Sequence, residues 1–251
     1  MISIIVPVLN EVAIVGAALE TLLRQGGDYE VIVVDGGSDD GTCDIVQRFP
    51  VWLVHMPPSL PRGIGCQINQ GAQQAQGDVL LFLHVDVQLP PQATAQIKAA
   101  LTNPQLIGGG FLPAFCGPVP DSERLMLALI ERVWKTRTRV FHWFAGDTAP
   151  FIRRDVFWRC GGYPPACFAS DWDFAEQMRR RGRLAVIREP VRVHCRRHVS
   201  NGVLKTLLVT GSVELMYRMG AGRRFLRNWY RMWLPRERVA LEAGGVKHER
   251  R

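Results

Sequence analysis

The chain has 251 residues, 47% of them hydrophobic, with 31 Lys and Arg against 23 Asp and Glu and a formal net charge of +8. That length and apolar content suit one domain with a large buried core, and two domains are not required. The six cysteines occur without a CxxC pair, which argues against a zinc knuckle or a disulfide framework and points to a reduced, cytoplasmic setting; no stretch approaches the roughly 20 uninterrupted apolar residues of a membrane-spanning helix, and no signal peptide is recognisable.

In chain order, Ile2 to Val8 is a branched apolar run that reads as a strand, followed by Asn10, Glu11 and a helical pattern from Val12 to Gln25. Tyr29 to Val34 repeats the plan and ends at Asp35. Gly36 to Thr42 then forms a turn in which glycine permits the tight path and Ser38 or Asp39 caps the next helix, Cys43 to Phe49. A third short strand, Val51 to His55, leads through Pro57, Pro58 and Pro61 to Arg62, Gly63 and Gly65, and on to a helix around Gln67 to Gln76. Val79 to Leu83 is an unbroken apolar run too short for a helix, so it reads as a strand buried on both faces of a parallel sheet. His84, Val85 and Asp86 come straight after it, and strand alternation sets His84 and Asp86 on one side. Ligands of open α/β sheets lie beyond the carboxyl ends of strands, so a carboxylate there is placed to hold a metal and, through it, phosphate.

Farther on, Ile107 to Phe115 reads as a strand, with Gly108, Gly109 and Gly110 allowing close approach, and Arg124 to Trp134 as a helix. Ser170, Asp171, Trp172 and Asp173 have the composition of a helix start, serine suiting the N-cap and the acids the first turn; the arginines from Arg179 to Arg183 suit its end. Val191 to Cys195 is a last strand. Strands alternating with helices predict an α/β domain over residues 1–199, with a doubly wound, mostly parallel central sheet flanked by helices. Residues 200–251 read as a helical, basic C-terminal extension. Apolar residues recur at helical spacing from Val203 to Met219, and between Arg223 and Leu234 the face of Phe225, Trp229, Met232 and Trp233 opposes Arg224, Arg227 and Arg231. Such a helix suits an anionic bilayer, its own domain or a second subunit. The basic last third favours an anionic partner; phosphate, lipid headgroups and nucleic acid all qualify on charge, which alone does not choose among them, and since no recognisable nucleic-acid module appears no nucleic acid is expected.

No GxGxxG follows the first strand, which argues against a nicotinamide or flavin enzyme. Instead PVLNE (Pro7 to Glu11), VVDGGSDDGT (Val33 to Thr42), RGIGCQINQGA (Arg62 to Ala72) and GDVLLFLHVD (Gly77 to Asp86) occur in one order at regular spacing. Together they resemble the family 2 glycosyltransferases, enzymes of the GT-A fold that use nucleotide sugars, over residues 1 to about 220. More narrowly, FLHVDVQLP and RRRGRLAV resemble the bacterial branch associated with radical SAM and selenodomain proteins.

The resemblance implies a nucleotide-diphosphate sugar donor and inversion at the sugar. It assigns the nucleoside contact to Asp35, with Asp39 as a second acid and Pro7, Asn10 and Glu11 shaping the same pocket. Arg62, Gln67 and Asn69 would line the next loop and helix, with Arg62 toward the diphosphate. Where the family has Asp, any residue, Asp, this chain has His84, Val85, Asp86. Asp86 is the implied metal ligand, His84 either a second ligand or a hydrogen-bond donor to the diphosphate, and the cofactor a divalent Mn or Mg ion. Gly146 and Asp147 fall near the sugar. Asp171 matches the family's general base, Asp173 is the fallback, and Ser170 replaces a Glu. His194 and His198 are candidates to complete the metal shell, and Arg196, Arg197 and His198 to close over the diphosphate. Trp158 and Tyr163 are placed to stack on an acceptor. Each has a plainer reading as well: Asp39 and Ser170 as caps, Glu11 as a first-turn acid, Trp158 and Tyr163 as core. The acceptor is unknown, with a lipid-linked one following naturally if the chain sits peripherally at the inner face of the membrane, and a homo-oligomer is also open. A nucleotidyltransferase and a non-catalytic membrane-surface scaffold are the alternatives.

Overall fold

The computed structural model describes residues 1–61, 63–164 and 168–234, so the expectation for Arg62 falls outside the described residues. Strands β1 (Ile2–Val8), β2 (Tyr29–Asp35), β3 (Trp52–His55), β4 (Val79–Phe82), β5 (Val87–Gln88), β6 (Leu106–Cys116), β7 (Phe151–Arg153) and β8 (Arg183–His194) form one sheet in the order β3-β2-β1-β4-β7-β6-β8-β5. The pairs among β1 to β4 are parallel, as is β6 with β8; β7 and β5 run antiparallel to their neighbours. The mostly parallel sheet expected from the sequence is therefore present.

Alternation along β1 shows why both faces are covered. Ile2, Ile4, Val6 and Val8 enter one apolar cluster with Val15 and Leu19 of α1 (Val15–Leu22), while Ile5 enters another with Ile68 and Ala72 of α3 (Ile64–Gln74). Each such fully buried apolar side chain contributes roughly 1.5–3 kcal/mol, so a strand buried at every position is stable only between two helical layers. Pro7 is tolerated in this central strand. Ile5 O accepts the Leu83 N–H, and two residues on, the ring of Pro7 falls on that same edge, beyond where β4 pairs.

The middle of the sheet needs glycine. A Cβ on Gly109 would lie 2.2 Å from Ala185 O, and one on Gly108 2.3 Å from Phe151 O, because β6 is wedged between β7 and β8. The remaining helices are α2 (Thr42–Val46), α4 (Ala93–Ala100), α5 (Asp121–Phe141), α6 (Arg154–Arg159), α7 (Ser170–Arg181), α8 (Arg196–Ser200), α9 (Val203–Arg218) and α10 (Arg223–Trp233). Leu127 and Ile130 of α5 join Val203 of α9 and Cys195 in a small separate core.

Four local expectations are corrected. His84, Val85 and Asp86 are not in a strand: β4 ends at Phe82, and the Val87 N–H donates to His84 O at 3.0 Å, closing a turn, so strand alternation does not apply. The last strand begins at Arg183, not Val191, because a register shift between Phe111 and Leu112 of β6 lets β8 run on past Pro190. Neither Ser38 nor Asp39 caps α2; Asp40 accepts the Thr42 N–H at 2.9 Å. Ser170 is not an N-cap either, since Ala169, in the left-handed region at φ 56°, occupies that place and Ser170 is the first helical residue.

Candidate active site

The loops leaving β1 and β2 are laced together by their own polar groups. Asp35, 3% exposed at the end of β2, accepts the N–H groups of Gly37 at 3.0 Å and Ser38 at 3.1 Å. Burial pushes its pKa up, but the hydrogen bonds from Ser38, Gly37 and Cys43 outweigh that and hold it below the usual carboxylate range. Asn10, at φ 58°, donates its N–H to Ser38 Oγ at 2.9 Å and accepts the Asp39 N–H on Oδ1 at 3.0 Å. The Glu11 N–H donates to Thr42 Oγ1 at 2.9 Å, and the Val12 N–H to Asp40 Oδ2 at 3.0 Å. The Glu11 carboxylate meets Arg196 at 3.9 Å, which ties this rim to the segment after β8. Asp40 is thus the acid that braces the loop, leaving the Asp39 carboxylate exposed.

Gln67 and Asn69, expected to line the nucleotide loop, work on the backbone instead. Gln67 Nε2 donates to Val8 O at 2.9 Å and Val34 O at 2.8 Å, clasping the ends of β1 and β2. Asn69 donates to Tyr163 O and accepts the Tyr163 N–H, both at 2.7 Å. This pair of hydrogen bonds holds the segment at Tyr163 and Pro164 on α3. Tyr163 itself is buried and stacks on Phe174 at 4.4 Å, so it belongs to the core.

The second half of the site forms where three distant segments meet. The turn after β4 brings His84 against Gly146, on which a Cβ would lie 2.5 Å from His84 Nε2. The Gly146 N–H also faces Asp171 Oδ2, at 3.4 Å, from the first turn of α7. Asp147 follows in the same single 3-10 turn, Gly146–Thr148. Asp86 O accepts the His194 N–H at 3.1 Å, so His194 joins this region through the backbone. His198 does not: it is buried with its ring edge-on to Phe115 at 4.8 Å.

Two observations bear on the implied metal. His84 Nε2 is buried without a hydrogen-bond partner, and the Asp86 carboxylate makes no hydrogen bond or ion pair with the described residues. An imidazole nitrogen and a carboxylate left available on one turn fit a divalent Mn or Mg ion. A second cluster, Asp35, Cys43 and His55, brings its ligand atoms within 4.8 Å of one another. There, burial and the Asp35 charge push the Cys43 thiol up to about 11, and the Asp35 carboxylate already accepts backbone N–H groups. That cluster is a hydrogen-bonded knot supporting Asp35.

Asp173, the fallback base, is engaged elsewhere. Its Oδ1 accepts from Arg223 at 2.5 Å and from the Tyr217 hydroxyl at 2.6 Å, and burial together with that carboxylate pushes the Tyr217 phenol up to about 12. Arg223 also donates to Phe168 O at 3.1 Å, on the segment entering α7. Arg223 and Tyr217 carry no sequence signal for this task, being 50 and 44 residues from their partner.

A sheet with carboxylates gathered at its strand ends, and this order of motifs, match known proteins. The profile described as Glycosyl transferase family 2 aligns with residues 3–161. The chain belongs to that family. A PGL/p-HBAD biosynthesis glycosyltransferase of Mycobacterium tuberculosis is 40% identical over 189 residues, covering 69% of this chain and 68% of its own length. Among solved structures, the mannosyltransferase PcManGT of Pyrobaculum calidifontis, in complex with GDP-Man and Mn2+, superposes with TM-score 0.63 at 19% identity, over 91% of this chain and 69% of that one. S. aureus TarS 1-349 in complex with UDP gives TM-score 0.60 at 18% identity, over 93% and 70%. The chain spans 46% of a longer TarS chain. The family match makes this chain a glycosyltransferase, and the structural likeness makes the fold GT-A.

Proposed function

We propose that this family member transfers a sugar from a nucleotide-diphosphate donor to an acceptor hydroxyl with inversion. The observation that carries it is the meeting of His84 and Asp171 on Gly146, which joins the motif expected to face the diphosphate to the carboxylate expected to face the acceptor. Asp171 accepts the proton of the acceptor hydroxyl as its oxygen bonds to the anomeric carbon. The bond from that carbon to the diphosphate breaks on the opposite face, and the nucleoside diphosphate departs. Asp35, held ionised by its loop, accepts a hydrogen bond from the base or ribose, with Pro7, Asn10, Glu11 and Asp39 around it. A base without a matching donor would forgo that hydrogen bond. Asp147 lies beside the sugar. A divalent ion held by Asp86 and His84 supplies positive charge against the leaving diphosphate. The Mn2+ and nucleotide ligands named for PcManGT and TarS support this reading, and the FLHVDVQLP and RRRGRLAV stretches favour the branch associated with radical SAM and selenodomain proteins.

The test is a thermal-shift titration of UDP, GDP and ADP, each with and without Mn, on the wild type and on Asp86→Ala. A ligand at a hundredfold excess over its dissociation constant stabilises by about 2.7 kcal/mol. One diphosphate is expected to stabilise the wild type only with metal, and Asp86→Ala to abolish the effect. No response to any of the three would overturn the donor site.

A further inference from the structure

The exposed faces of α9 and α10 take no part in the chemistry above. On α9, Val203, Thr206, Val209 and Val213 are buried, while Leu204, Leu208, Leu215 and Met219 stand out on the other side, Leu208 63% and Met219 76% exposed. Their spacing of i, i+4, i+11 and i+15 makes one stripe on a helix of about 3.6 residues per turn. On α10, Phe225, Trp229 and Trp233 form a ladder with ring centroids 6.3 and 6.0 Å apart, and Met232 beside it is 70% exposed. The Trp229 Nε1–H donates to Ser212 Oγ at 3.1 Å and pins the ladder to α9. Between the helices lies an open groove of about 610 Å³, lined by Leu204, Lys205, Leu208, Trp229 and Trp233.

The charge on these helices is mostly of one kind, since the single acid, Glu214 on α9, is taken up by Arg137 and Arg218. No acid occurs from Arg223 to Trp233, and Lys205, Arg224 and Arg231 are exposed with no ion pair to any described residue. By contrast, Arg179 and Arg180 pair with Glu176, and Arg137 and Arg218 with Glu214. An apolar, tryptophan-bearing face flanked by unmatched cations is complementary to a surface that is anionic outside and apolar just beneath. A second copy of the same face would bring like charges together. No helix among the described residues is long and apolar enough to cross a membrane, so contact would be along the surface.

We propose that α9 and α10 seat the enzyme on a bilayer bearing anionic headgroups, with Phe225, Met232 and Trp233 entering its outer layer. Because Arg223 at the start of α10 holds both Asp173 and the segment entering α7, the seated helix is joined to the one that carries Asp171. The inference does not depend on the donor or the metal.

The experiment is co-sedimentation of the full chain with phosphatidylcholine vesicles, and with vesicles in which phosphatidylglycerol replaces part of that lipid. Two exposed double variants accompany the wild type: Arg224→Gln with Arg231→Gln, and Phe225→Ser with Met232→Ser. Each basic residue near an anionic surface is worth roughly fivefold in partition, so the arginine pair should weaken binding about 25-fold. The serine pair should weaken it as well and remove the blue shift of tryptophan emission that the wild type shows on binding. Thermal stability and nucleotide binding in solution should be unchanged in both. The proposal is overturned if the wild type ignores anionic vesicles, if either double variant binds as the wild type does, or if light scattering shows a dimer that the serine pair dissolves.

Discussion

Asp35 and Asp171 are both carboxylates at the end of an element beside the candidate site, yet their surroundings differ. Asp35 is buried and accepts N–H groups from Gly37 and Ser38, and its loop is cross-braced by Asn10, Asp40 and Thr42. Among the described residues, Asp171 accepts one long hydrogen bond, from the Gly146 N–H at 3.4 Å. A carboxylate held by fixed donors is ionised and immobile, which suits recognition. One that keeps its lone pairs can accept a proton from a bound hydroxyl, which suits a base. The nearby Asp173 shows the contrast within one helix, since Tyr217 and Arg223 occupy it.

The largest effect should come from Asp171→Asn. Removing a general base costs typically 100- to 10,000-fold in rate, so kcat should fall by about that much while nucleotide stabilisation persists. Initial-rate and thermal-shift measurements on the same preparation check it; equal loss at Asp173→Asn with Asp171→Asn active would reverse the assignment.

Asp35→Ala should act on the fold as well as on binding. The part-buried Gly37 and Ser38 N–H groups lose a charged acceptor, which costs about 1–3 kcal/mol of stability in a urea titration. Asp35 also predicts a direction with pH. Its folded pKa lies below the unfolded value, as does that of Asp40, where hydrogen bonds from Thr42 and Val12 outweigh the upward push of burial. The stability they contribute is complete above the unfolded carboxylate pKa and is lost as pH falls through the folded one. A melting-temperature scan into acid should therefore decline less steeply in Asp35→Asn than in the wild type.

The smallest effect on the fold belongs to Asp39→Ala. Its carboxylate is exposed and the loop is braced by Asp40, so stability should change by no more than about 0.5 kcal/mol. A weakened nucleotide response in that variant would show that Asp39 reads the nucleoside; an unchanged one would leave Asp35 alone in that role.

Periodicity made most elements legible. The apolar runs at Ile2, Tyr29 and Val79 could be stable only as strands covered on both faces, and the triple glycine announced the close approach of β6 to its neighbours. Less legible were the residues whose side chains turn back on the backbone. Gln67 and Asn69 lie in a recognisable motif, but only packing shows that they clasp strand ends and the Tyr163 segment rather than facing a ligand. The placement of His84 and Asp86 failed as a strand argument because pairing with β1 ends at Phe82 and the chain turns at once.

The sequence alone determined the α/β class, the parallel β1 to β4 unit, the family and the set of candidate carboxylates, because those depend on local period and on motif order. Tertiary structure decided which carboxylate is free and which is tied. It set Gly146 between His84 and Asp171, gave Asp173 to Tyr217 and Arg223, and left one face of α9 and α10 apolar, cationic and uncovered by the other described residues. Such pairings join residues tens of positions apart, and their geometry exists only once the sheet has brought the strand ends together.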